Sequence, residues 1–191
     1  VEFTKGFYPQ VDTDGLIIDV RYNRGGNVSQ LIIDRLNRKQ WASMTPRRGA
    51  SSTYPSRVHI GHKVVLTNQL AGSDGDIFPE SFKILALGRV IGMRSWGGVI
   101  GIRMDKPFID GGVSSQPEFA WWYPQRGWDL ENLGVEPDIE IDIFPEDWIA
   151  GRDPQLDRAI AELECMNQEK PVVRPQPPDI PDKSKPRRSL A

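Results

Sequence analysis

Ser73 stands where a hydroxyl can be put to chemical use. The stretch Asn68-Gln69-Leu70-Ala71-Gly72-Ser73-Asp74-Gly75-Asp76 joins an apolar run to a helical one through small residues. Before it, HKVVLT (62–67) is short and β-branched, the pattern of a strand buried on both faces. After it, Phe78, Phe82, Leu85 and Ala86 recur at helical spacing over 76–87. Glycine at such a corner permits unusual dihedrals and close approach of a substrate, and the helix start offers unpaired N–H groups and a positive dipole end. A serine placed there meets developing negative charge with donors already aimed. The plainer account is a helix cap, since Ser73 with Asp76 three positions on also fits an N-cap followed by an acidic first turn.

A second turn of the same kind lies upstream. GLIIDV (15–20) reads as a buried strand, RYNRGGN (21–27) as a loop, and Asn27 with Gln30 as the capped start of a helix carrying Val28, Leu31, Ile32 and Leu36 on one face. The adjacent Gly25 and Gly26 expose backbone N–H groups that suit either a phosphate or a developing oxyanion. Neither GxGxxG nor GxxxxGK[ST] occurs, which leaves the nucleotide reading weak.

The rest of the chain supplies the scaffold that holds these turns. Residues 38–61 form a long polar connection, read as folded over the site, with His59 and His62 at its end. No carboxylate or cysteine neighbour completes a metal set, and strand geometry points the two rings apart, so both read as surface or boundary histidines. GRVIGM (88–93) is a further strand, and WGGVIGI (96–102), with Gly98, Ile100 and Ile102, suits either a hairpin or an edge to which an extended peptide adds by main-chain hydrogen bonds. Asp110-Gly111-Gly112 is a turn, QPEFAWWY (116–123) an aromatic strand, and GWDLENLG (127–134) a loop bearing Asp129 and Glu131. IEIDI (139–143) is a last strand, and Asp153-Pro154 starts a helix with Leu156, Ile160 and Leu163 facing inward.

Strands alternating with helices give an α/β class, with an antiparallel share toward the C-terminal half. At 191 residues the chain accommodates one domain with a tail. The balance of 24 basic against 26 acidic residues gives no sign of a nucleic-acid or membrane surface. The lone Cys165 excludes an internal disulfide and reads as a small core or boundary residue. No apolar run is long enough to span a membrane, and VEFTKGFYPQ has neither a signal-peptide layout nor an initiating methionine, so the chain is expected to be a piece of something longer. From Asn167 onward six prolines fall among twenty-five residues, with Lys170, Arg174, Lys183, Lys185, Arg187 and Arg188 between them, which predicts an extended tail or arm. The resulting partition is a lead-in over 1–14, a folded unit over 15–166 and a tail over 167–191.

Taken together, GLIIDVRYNRGGNVSQLII, TNQLAGSDGDIFPESFK, and the run from GMRSWGGVIGI through QPEFAWW and ENLGVEPDIEI to GRDPQLDRAI resemble the tricorn protease family, related to the tail-specific, or C-terminal processing, serine peptidases. The resemblance covers roughly Gly15 to Leu163. It implies a crotonase-like α/β fold, a mixed sheet flanked by helices, in which Ser73 is the nucleophile and the N–H groups of Gly26 and Asp74 form the oxyanion hole. Glu131 matches the carboxylate that completes a tetrad of serine, histidine, second serine and glutamate. With the peptide laid along the 96–102 edge read above, Gly98, Ile100 and Ile102 are its expected contacts, together with Gly25 of the glycine turn. The resemblance further implies unfolded peptides as substrate, a ring-like homo-oligomer, no cofactor and a cytoplasmic location, with an exported one open because related peptidases are exported.

Two departures accompany it. The family's histidine base and its serine partner come from a region well before the first strand, and nothing in residues 1–14 matches them. A serine without a base is a poor nucleophile at neutral pH, so the chain alone is expected to be inactive unless the histidine is supplied from outside it. The family also places an aspartate just before PRRG, where it selects basic residues at the cleavage site; here that position is Met44, which implies an apolar preference. A peptide-binding or assembly module without its base, and an acyl-coenzyme A enzyme on the same fold, are the competing readings.

Overall fold

The computed structural model describes residues 2–179 and Ser184. Helix α1 (Glu2–Phe7) and a 3-10 turn lead into β1 (Gly15–Asp19). This lead-in is part of the folded core, because Phe7 and Val11 are buried in the same cluster as Leu16, Val65 and Phe82. The chain then forms α2 (Ser29–Leu36), β2 (Ala42–Met44), β3 (Ser52–Tyr54), β4 (His62–Thr67), α3 (Asp74–Ile84) and β5 (Arg89–Gly92). It continues through β6 (Gly101–Arg103), β7 (Gln116–Phe119), β8 (Trp122–Tyr123), β9 (Gly127–Trp128), β10 (Ile139–Glu140), α4 (Pro145–Ala150) and α5 (Pro154–Glu169).

Four strands make one parallel sheet in the order β1-β4-β5-β10, with Ile17 opposite Val64 and Val65 opposite Val90. Side chains alternate between its faces. Leu16, Val65 and Val90 meet Ile33 and Leu36 of α2 and Phe78 and Phe82 of α3, while Val64, Leu66 and Ile91 meet Ala159 and Leu163 of α5. A strand covered on both sides is apolar at every position, which is why HKVVLT lacks a polar alternation. Full burial of Phe82 removes apolar area worth about 1.5–3 kcal/mol relative to exposure.

The antiparallel pairing does not extend this sheet. Among the described residues it is confined to three separate ribbons, β2-β3, β6-β7 and β8-β9. The aromatic run 116–123 is accordingly broken, its first part pairing with β6 and its end with β9, and only Ile139–Glu140 of the IEIDI run pairs with β5.

Three helix faces depart from the periodicity. In α2 the capping box at Asn27 does not form: Val28 holds the cap position with no side-chain bond, Leu31 is exposed, and Ile33 and Leu36 are buried. Leu85 and Ala86 fall beyond the end of α3 and are exposed. On α5 the Asp153 cap forms as the spacing predicts, its Oδ1 accepting from Leu156 N at 3.0 Å. Yet Leu156 and Ile160 face outward, and Gln155, Ala159 and Glu162 face inward. Partners account for the inward polar pair. Gln155 donates to the Ile141 carbonyl at 2.7 Å and accepts from Arg21 at 3.1 Å, while Glu162 pairs with Arg89 at 2.9 Å and Arg158 at 2.7 Å.

Cys165 is exposed on α5, not a core or boundary residue. The chain after α5 is tied down as far as Arg174, where His62 Nε2 meets the Lys170 carbonyl at 2.8 Å and Arg174 pairs with Asp14 at 2.7 Å. The tail cations Lys183, Lys185, Arg187 and Arg188 lie outside the described residues.

His59 is also a correction, being buried rather than at the surface, with Thr13 Oγ1 3.3 Å from its Nε2. Burial, then the nearby positive charges of Lys63 and Arg174, push its pKa down to about 4. A base whose folded pKa lies below its unfolded value is stabilising while neutral, so stability is full above about pH 6.5 and is lost as pH falls toward 4. Between pH 7 and 5 this single group is expected to remove roughly 2 kcal/mol, and His59→Gln should flatten that part of a urea-melt pH profile; an unchanged slope would contradict it.

Candidate active site

The two glycine-bearing turns lie side by side because β1 and β4 are adjacent and parallel, so both strands release the chain at the same end of the sheet. Backbone bonds then fasten turn to turn. Gly72 N donates to the Asn23 carbonyl at 2.9 Å, and Tyr22 N donates to Asn68 Oδ1 at 3.0 Å. From the second turn, Asp74 Oδ2 accepts from Val28 N and Ser29 N, each at 3.0 Å, and so caps α2 in place of Asn27. Gly75 is glycine for lack of space: a Cβ there would stand 2.2 Å from the Asn23 carbonyl oxygen.

Ser73 occupies the corner with φ 58° and ψ −117°, and its side chain makes no cap hydrogen bond. The helix-cap account of this residue therefore fails in its side-chain part: the carbonyl of Ser73, not its hydroxyl, receives Asp76 N and Ile77 N. A non-glycine residue held at positive φ is strained by about 1–3 kcal/mol and persists only where its surroundings over-determine it. Gly25 is one such constraint, since a Cβ added there would lie 2.9 Å from Ser73 Cβ and 3.1 Å from its Oγ. The hydroxyl is left free for chemistry.

Ser73, Gly26 and Asp74 line a cleft of about 820 Å³, together with Gly98, Ile100, Ile102 and Glu131. Glu131 Oε2 accepts from Val99 N at 2.8 Å, which joins the 127–134 loop to the segment carrying Gly98 and Ile100. Trp96 forms part of the wall: Cβ atoms at Gly72 and Gly98 would approach its ring to 2.4 and 2.5 Å, so the indole rests on two glycines. Residues 96–100 do not form a strand; β6 begins at Gly101.

Met44 is not brought to this cleft. It is exposed on the β2-β3 ribbon, and no residue of 38–61 lines the cleft, so the long connection does not fold over it. Gly25 backs Ser73 instead of lining the cleft. Neither histidine lines it. Among the described residues no three His, Cys, Asp or Glu side chains come close enough to hold a metal ion.

Asp76, which sequence reasoning treats only as a first-turn acid, has a larger part. It is fully buried, and its Oδ1 accepts from Ser95 Oγ and from Gly97 N at 2.8 Å, tying the first turn of α3 to the cleft wall. Burial raises its pKa. No sequence signal separates this aspartate from a solvated one, because its partners lie about twenty positions away.

The pattern of peptidase family S41 matches residues 2–141, and the chain belongs to that family. Within it the chain is similar to tricorn proteases. It is 49% identical over 174 residues to the tricorn protease of Thermoplasma acidophilum, a match covering 89% of this chain and 16% of that protein. Tricorn protease homolog 1 of Streptomyces coelicolor is 43% identical over 172 residues, covering 90% of this chain and 16% of its own length. The crystal structure of the tricorn protease superposes with a TM-score of 0.75 at 50% identity, covering 82% of this chain and 15% of that one. The chain thus spans about one-sixth of the length of these relatives.

Proposed function

We propose that this chain is the nucleophile-bearing part of a serine endopeptidase, in a folded unit that takes in the lead-in helix and has a crotonase-like arrangement of its α/β layers. The observation that carries the reading is the Ser73 corner, a strained backbone whose hydroxyl takes no structural hydrogen bond and opens on the cleft. Ser73 Oγ attacks the scissile carbonyl carbon and gives its proton to a histidine supplied from outside these residues. The N–H groups of Gly26 and Asp74 receive the oxyanion, and the same histidine returns the proton to the departing amine. Water then releases the acyl group from Ser73. Glu131 orients the base assembly without taking the proton.

Support for a base from elsewhere comes from the chain itself. Its two histidines are engaged by Thr13 and by the Lys170 carbonyl, away from the cleft. Unfolded peptides lie along Gly98, Ile100 and Ile102, beside the apolar side chains of Ile77, Phe119 and Trp121. An apolar side chain before the scissile bond is therefore favoured by the cleft lining, with no role for Met44 needed in this chain alone. A homo-oligomer in the cytoplasm completes the reading, on family grounds.

The test is covalent. A fluorophosphonate should label the full-length protein carrying this chain on Ser73 alone, identified by peptide mass mapping, and should not label residues 1–191 in isolation at a comparable rate. Absence of label in the full-length protein would favour a peptide-binding module without catalysis.

A further inference from the structure

We propose that the Asp74 carboxylate is a positioning residue that holds the two oxyanion donors in register, an inference that rests on the assignment of Ser73, Gly26 and Asp74 above. Gly26 is not wedged in place by packing: its φ is +143°, and nothing lies within 4 Å of where its Cβ would be. The direction of its N–H is therefore set by the bonds on either side. Upstream, Gly25 N donates to Asn23 Oδ1 at 3.1 Å. Downstream, two residues on, Val28 N and then Ser29 N donate to Asp74 Oδ2 at 3.0 Å.

Val28 stands where a helix normally has its own capping side chain, and valine has no acceptor. The cap comes instead from a residue 46 positions later in sequence. That residue is buried and is the first of α3, so its N–H has no carbonyl one helical turn before it. One side chain thus fixes the turn that presents Gly26 while its own backbone presents the second donor. A carboxylate also carries the charge that two helix N-termini favour, which fits its place between α2 and α3.

Asp74→Ala and Asp74→Asn in the full-length protein test this, each keeping the Asp74 backbone amide. Alanine should lower kcat by about 30- to 100-fold with KM within about threefold of wild type, because a displaced donor weakens the transition state more than the ground state. Affinity for a peptidyl boronate, which presents a tetrahedral oxyanion, should fall in parallel with kcat. Asparagine keeps an oxygen able to accept both N–H groups and should recover at least tenfold over alanine. A kcat for Asp74→Ala within threefold of wild type overturns the proposal, as does boronate affinity that stays constant or an asparagine variant no better than alanine. Should Asp74→Ala fail to fold, Asp74→Ser, whose hydroxyl is too short to reach both amides, takes its place under the same criteria. Ser73→Ala separates the layers: if it retains hydrolysis the underlying assignment fails, whereas if it is inactive and Asp74→Ala is near wild type only the clamp fails.

Discussion

Ser73→Ala is expected to reduce peptide hydrolysis by the full-length protein at least about 10⁴-fold in kcat while shifting Tm by less than about 2 °C. The two halves of this result come from one observation. The hydroxyl makes no hydrogen bond to the helix it precedes, so its removal costs the fold little. It is also the atom that would form the acyl bond, so its removal leaves only binding and the oxyanion donors, which alone give a small residue of catalysis. Progress curves on a fluorogenic peptide, run beside differential scanning calorimetry, check both halves. Hydrolysis that survives would remove Ser73 from the mechanism, and a large loss of Tm would return it to a structural cap.

Gly25→Ala is expected to lower kcat/KM by about 10² to 10³ and to slow phosphonate labelling equally, with helix content by circular dichroism unchanged. Two effects add. The φ of +119° is one that residues with a Cβ rarely adopt, and the new methyl would lie 3.1 Å from Ser73 Oγ. A misplacement of about 1 Å at a nucleophile is enough for a hundredfold loss. Gly111→Ala separates the causes, because Gly111 has φ +83° with nothing within 4 Å and lies in a turn away from the cleft. Its activity should match wild type. Equal losses in the two variants would mean that backbone strain, not contact with Ser73, explains the effect.

Much of this arrangement is legible from residue types alone. The two glycine-bearing turns and the buried strands before them are written in local chemistry, β-branched runs ending in small residues, and that chemistry is short-range. Glu131 is reached through resemblance, while Gly98, Ile100 and Ile102 are read from the glycine-punctuated apolar segment, and all four share one cleft with Ser73. What escapes is whatever depends on a distant partner. The inward face of α5 differs from the periodicity because Gln155 and Glu162 are polar residues whose burial is compensated by Ile141, Arg21, Arg89 and Arg158, and α2 starts one residue later than its spacing implies because its cap comes from Asp74. Apolar periodicity counts such residues as solvent-facing. Asp76 escapes for the same reason, and Met44 is placed at the site by motif although its ribbon lies outside the cleft.

The pairing of Ile17 with Val64 and of Asp19 with Leu66 has a further consequence. A slip of one residue between those strands would carry one turn past the other by roughly 3.3 Å, more than the whole working range of a hydrogen bond. The accuracy of the cleft is therefore kept deep in the protein, as a ruler made of ladder bonds that no substrate touches. Loosening the grip of either covering layer on those two strands should blur catalysis before it unfolds the chain.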